Sequence, residues 1–78
     1  MKITLKLFAT LREHMKDHLN GATDVVLQEN ATVQNVFTAF QIPADIPKII
    51  LINGVQKSAA DSLHDGDTLS VFPPIAGG

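Results

Sequence analysis

Polar and apolar residues alternate strictly at the start of the chain. Ile3, Leu5 and Leu7 fall on one side of an extended segment, and Lys2, Thr4, Lys6 and Phe8 on the other. That period of two predicts a strand over residues 2–8. The period then lengthens: Leu11, Met15 and Leu19 recur at helical spacing, which predicts a short helix over residues 10–19. Thr10 is its expected N-cap, and Asn20-Gly21 its left-handed stop. Asp24-Val25-Val26-Leu27-Gln28 predicts a short strand between polar residues. Thr32 opens the clearest helix. Val33, Val36, Phe37 and Phe40 mark one face, Ala31 and Val36 can staple its start, and Pro43 and Pro47 forbid helix beyond Ile42. Lys48-Ile49-Ile50-Leu51-Ile52 is nearly all apolar, the pattern of a strand buried on both faces. Asn53-Gly54 is a strong hairpin signal leading into Val55-Gln56-Lys57. Asp65-Gly66-Asp67 gives another turn, and Thr68-Leu69-Ser70-Val71-Phe72 alternates as the last strand.

This order of strand, short helix, strand, main helix and three strands predicts an α+β fold with one sheet face packed on the main helix. The first and last strands are expected side by side, so that Leu5 and Leu7 share the core face with Leu69 and Val71. Period-two counting then sends Phe8 and Phe72 to the opposite face. Two large apolar side chains on a face without a helix predict a docking patch. The plainer alternative is that the short first helix covers them, or that they are scattered surface aromatics.

With 78 residues and 45% hydrophobic content, the chain is expected to form one domain with an adequate core. The net charge of −2, the scattered basic residues and the presence of only four aromatics, all Phe, argue against a nucleic-acid partner. Cysteine is absent, which removes disulfides, thiolate metal sites and cysteine nucleophiles together. The N-terminal segment lacks the apolar stretch of a secretory signal, and no apolar run approaches membrane-spanning length. A cytoplasmic protein without a membrane partner is the resulting expectation.

Few side chains carry chemistry by their spacing. His14 and His18 stand four apart, but no Glu lies in an H-E-x-x-H arrangement and no third ligand is evident, so a solvated face is the expected reading and no metal is assigned. His64 is a lone loop histidine. Asp61, Asp65 and Asp67 flank turns, where Asp commonly accepts local backbone hydrogen bonds. Ser58, Ser62 and Ser70 have no base at a motif spacing, and Arg12-Glu13 reads as a surface charge pair. What stands out is the ending Pro73-Pro74-Ile75-Ala76-Gly77-Gly78. The prolines end any strand and stiffen the root of a tail over 73–78, while Gly77 and Gly78 can thread a channel too narrow for side chains. The four residues beyond Pro74 reach roughly 13–14 Å when extended. The Gly78 carboxylate becomes the expected reactive group, needing activation such as a mixed anhydride with the α-phosphate of ATP.

At these residues the chain resembles the MoaD/ThiS family of ubiquitin-like sulfur carriers, and within it the small subunits of molybdopterin synthase. The likeness is carried by Phe8-Ala9-Thr10-Leu11-Arg12-Glu13, Ala31-Thr32-Val33, Ile52-Asn53-Gly54, Leu63-His64-Asp65-Gly66-Asp67 and above all Val71-Phe72-Pro73-Pro74-Ile75-Ala76-Gly77-Gly78. It implies a β-grasp fold, a mixed sheet of about five strands on one main helix with a short extra helix. It further implies that an E1-like activating enzyme, with its own ATP and Mg²⁺, adenylates Gly78 for conversion to a thiocarboxylate. The tail, threading through Pro73, Pro74, Ile75, Ala76 and Gly77, would then enter the large synthase subunit and give its sulfur to cyclic pyranopterin monophosphate. Phe8, Phe72 and Val55 match partner-binding positions, and no cofactor resides on the chain itself. A carrier for thiamine thiazole or a tungsten pterin, and a modifier joined to lysine through Gly78, remain as alternatives. So does a plain β-grasp interaction module.

Overall fold

The computed structural model describes residues 1–15, 21–43, 45, 46 and 48–74. Five strands form one mixed sheet: β1 (Lys2–Leu7), β2 (Ala22–Val26), β3 (Ile49–Ile52), β4 (Val55–Gln56) and β5 (Thr68–Phe72). Their order is β2-β1-β5-β3-β4, so the first and last strands are central neighbours. They run parallel in the register Leu5 to Leu69 and Leu7 to Val71. Antiparallel pairs β1–β2, β3–β5 and β3–β4 complete the sheet. Among the described residues, one α-helix, α1 (Val33–Ala39), and one 3₁₀ helix (Ala9–His14) accompany it. This is the β-grasp architecture, a mixed sheet curled over one helix. Among the described residues no helix is long and apolar enough to cross a membrane.

Strand alternation fixes which face closes on the helix. Ile3, Leu5 and Leu7 from β1, Leu69 and Val71 from β5, and Ile50 and Ile52 from β3 are buried against Val33, Val36 and Phe37 of α1. Leu11, Met15, Ile42 and Leu63 close the ends of that core. Of the expected helical face, only Phe40 stays partly exposed.

Both ends of α1 are defined by hydrogen bonds. At the start, the Thr32 hydroxyl accepts from the Asn35 backbone N–H (3.4 Å), and the Asn35 side-chain oxygen accepts from the Thr32 N–H (2.7 Å). This is a reciprocal capping box with Asn in the Glu position. The next free donors, Val33 N–H and Gln34 N–H, reach the carbonyls of Asp61 (3.1 Å) and Ala59 (2.9 Å). The loop before β5 thus satisfies groups that every helix start leaves open. At the other end the helix stops at Ala39, short of the Ile42 limit that proline imposes. Gln41 takes φ +58, Ile42 N–H donates to Phe37 O at 2.8 Å, and Gln41 N–H donates to Thr38 O at 3.2 Å. That pair of bonds is a Schellman motif, with buried Ile42 and Phe37 as its apolar contact.

Two expectations need correction. The first helix is a 3₁₀ turn over Ala9–His14 capped by Phe8, without a side-chain bond from Thr10. Leu11 N–H donates to Phe8 O and Met15 N–H to Arg12 O, the i to i−3 pattern of the tighter helix. Leu11 and Met15 are both buried, so the spacing marked core contacts correctly while suggesting too regular a helix. Leu19, His18 and Asn20 lie outside the described residues. The second correction concerns β3, which is covered on one face only. Ile50 and Ile52 are buried, whereas Ile49 is 39% exposed and Leu51 half-buried.

The two predicted turns are joined to each other. Asn53 and Gly54 adopt φ +52 and +84 between β3 and β4, as a tight hairpin requires. The Asn53 side chain accepts from Thr68 N–H (2.9 Å) and donates to the Asp67 carboxylate (2.9 Å). Asp67, only 8% exposed, also accepts from His64 N–H at 2.8 Å. The hairpin is thereby clasped to the start of β5.

Candidate functional site

Phe8 continues β1 in extended conformation, at φ −118 and ψ 152, and its N–H donates to Val71 O at 3.2 Å. The parallel register that pairs Leu7 with Val71 therefore sets Phe8 beside Phe72 on the sheet face away from α1. Their rings stack with centroids 4.1 Å apart and planes 10° from parallel. Ala9 then takes φ +52 and turns the chain into the 3₁₀ helix. On the other side of Phe72, the β3–β5 register adds Ile49 to the same row. β5 ends at Phe72, where Pro73 and Pro74 lack the N–H that would extend the ladder. Phe8, Ala9, Ile49, Phe72, Pro73 and Pro74 together line an open apolar depression of about 310 Å³. The patch expected from Phe8 and Phe72 thus exists, and the 3₁₀ helix does not close over it, since both rings remain part-exposed.

By strand register, the open face changes character away from the tail. The next row holds Lys6, Ser70 and Leu51, and the row beyond it Thr4 and Thr68. At the far end Lys2 lies 3.8 Å from Asp24, which also accepts from the Thr4 hydroxyl at 3.3 Å. The apolar end is the one from which the tail departs.

Ile49 and Leu51 were not singled out by sequence. An unbroken run of apolar residues carries no alternation, so it cannot reveal which members face outward. Too little helix follows to cover a second face, and that was the available signal. Val55, by contrast, pairs with Ile52 and so shares the helix-side face, at its free edge. It is 56% exposed and lines a separate groove of about 510 Å³ with Ile52, Lys57 and His64. Gln56, opposite Leu51, is the β4 residue turned to the open face. The structure therefore brings Phe8, Phe72, Pro73 and Pro74 together and holds Val55 apart. Ile75, Ala76, Gly77 and Gly78 lie outside the described residues.

The titratable side chains serve local structure. Asp61 accepts from the Ser58 N–H (2.7 Å) and hydroxyl (3.1 Å), which together hold its carboxyl below the usual range. Asp65 accepts from Lys2 N–H at 2.8 Å. Lys48 donates to the carbonyls of Pro43 and Ile46 and sits 5.0 Å over the Phe37 ring. Partial burial lowers its pKa, against an opposing pull from Asp45. His64 is largely exposed, 3.8 Å from Asp67. Among the described residues no three His, Asp or Glu side chains gather as a metal site. The arrangement suits docking of an apolar partner surface at the root of a stiffened tail.

Comparison with known proteins agrees with this geometry. The profile of the ThiS family matches residues 5–78. The crystal structure of SAMP1 from Haloferax volcanii superposes with a TM-score of 0.79 at 25% identity, covering 100% of both chains. The same organism's protein is described in a second crystal structure as small archaeal modifier protein 1. A putative molybdopterin converting factor subunit 1 from Pyrococcus furiosus gives 0.72 at 24% identity, over 96% of this chain and 99% of that one. A complex of subunits 1 and 2 of the molybdopterin-converting factor from Helicobacter pylori gives 0.64 at 16% identity, with full coverage of both chains. No curated protein sequence matches significantly.

Proposed function

The chain belongs to the ThiS family of ubiquitin-like sulfur carriers, and from that premise we propose that it is the sulfur-carrying small subunit of a molybdopterin synthase. The Gly78 carboxylate attacks the α-phosphate of ATP on an E1-like, Mg²⁺-dependent activating enzyme, and pyrophosphate leaves. A sulfur nucleophile then displaces AMP, and the resulting thiocarboxylate donates sulfur to a pyranopterin within a larger partner subunit. The observation that carries this reading is the Phe8–Phe72 stack at the base of Pro73-Pro74. It supplies an apolar docking surface where a threaded tail would leave the domain. The Helicobacter pylori neighbour, a complex of subunits 1 and 2, supports a large-subunit partner of this kind.

Intact mass after incubation with activating enzyme, ATP and a sulfur donor tests the proposal. One oxygen should be replaced by sulfur, and deleting Gly78 should abolish transfer without lowering thermal stability. An unchanged mass with a competent activating enzyme refutes it. The likeness to SAMP1 favours a second reading, a protein modifier joined to lysine through Gly78. Its signature is a covalent adduct that survives both thiols and hydroxylamine.

A further inference from the structure

Asn53-Gly54 joins two features that bear on one reaction. Gly54 has no side chain to hinder attack at its nitrogen, and a Cβ built there meets nothing within 4 Å, so the turn stands open to water. Asparagine before such a residue is chemically labile. The Gly54 main-chain nitrogen gives its proton to solvent base and bonds to the Asn53 side-chain carbonyl carbon. The bond to the amide nitrogen breaks, and that nitrogen takes a proton from water and leaves as ammonia. Water then opens the cyclic imide at either carbonyl, giving aspartate or isoaspartate. The net change is addition of water and loss of ammonia, with no redox step.

The fold opposes the first step. Asn53 is held at both ends of its amide, by Thr68 N–H on the oxygen and by Asp67 on the nitrogen, each at 2.9 Å. Its main-chain N–H also donates to Thr68 O at 2.9 Å. Bringing the side-chain carbon to Gly54 N requires releasing these bonds. The products fit worse than the parent. A carboxylate in place of the amide turns the donor that faced Asp67 into a second acceptor, setting two negative groups at hydrogen-bond distance. Isoaspartate also adds a carbon to the main chain inside a two-residue turn, which the β3–β4 register cannot absorb.

We propose that Asn53 is a deamidation site which the folded hairpin keeps unreacted and which, once converted, cannot be clasped again. Conversion records an opening of the β3–β4 hairpin and makes that opening permanent. The inference is independent of sulfur carriage.

Peptide mapping of the full chain, incubated at mildly alkaline pH in native buffer and in guanidinium, tests it. Asn53 should convert at least about tenfold more slowly in native buffer. After refolding, chains converted at position 53 should be cut by trypsin after Lys57 several-fold faster than unconverted ones. Asn53→Asp should lower the denaturation midpoint, and Asn53→Asp with Asp67→Asn should recover most of the loss. The swapped amide can again bridge position 53 and His64 N–H. If the single variant fails to fold, recovery of a folded double variant is the readout. Equal conversion in both buffers, wild-type protease resistance of converted chains, or no recovery in the double variant would each overturn the proposal.

Discussion

Two aromatic residues hold the apolar patch together, and their contributions to the proposed docking are coupled. Phe72 is the last residue of a regular strand and is paired with Ile49 of β3, whereas Phe8 sits just past the end of β1 and takes its position partly from the Phe72 ring. Phe72→Ala should weaken binding to the proposed large partner subunit by roughly 2–4 kcal/mol, the range of an interface anchor. Phe8→Ala should cost less once Phe72 is gone. The stacking share, about 0.5–1.5 kcal/mol, then appears as a coupling energy in a double-mutant cycle measured by calorimetry. Independent, additive losses would mean that the rings act as separate contacts. Ile49 completes the row and should respond in the same binding assay.

At the scale of single elements, α1 is short and depends on its ends. Seven residues are too few for a helix to be stable by propensity alone. Thr32→Ala removes the hydroxyl acceptor of the capping box and should cost about 1 kcal/mol in urea unfolding, with Thr32→Ser close to wild type. The C-terminus predicts the opposite sign. Gln41 pays for a left-handed φ that glycine adopts freely, so Gln41→Gly should stabilise the protein by about 0.5–1 kcal/mol. These ends also show what sequence can carry. Thr32 was legible because a capping residue acts locally, through a neighbour three positions on. The Schellman stop was hidden because Gln41 is an unusual residue for it, and prolines nearby offered a simpler reason to end. The 3₁₀ helix was misjudged because Leu11 and Met15, four apart, satisfy an α-helical count while needing only two inward contacts. In β3, four successive apolar residues left no parity to read.

For the whole molecule, the strongest sequence signal was alternation in β1 and β5. It located the core face and, by subtraction, the aromatic patch. The closeness of the rings was not legible, because it depends on two strands from opposite ends of the chain pairing in one parallel register. That pair is also the mechanical centre of the domain. Leu69 is fully buried opposite Leu5, so Leu69→Ala should destabilise by about 2–5 kcal/mol. That is a large share of the ~4–12 kcal/mol expected for a domain of this size. Chemical denaturation should show the loss with little change in the slope of the transition.

The parallel β1–β5 pair has a consequence for when the chain becomes usable. Phe8 and Phe72 belong to opposite ends of the sequence, and their stacked surface exists only after β5 has slotted between β1 and β3. A partner that grips both rings is therefore checking completion: an unravelled chain carries the same glycines but offers no platform beside them. The fold acts as its own certificate of readiness, issued at the point where the tail begins.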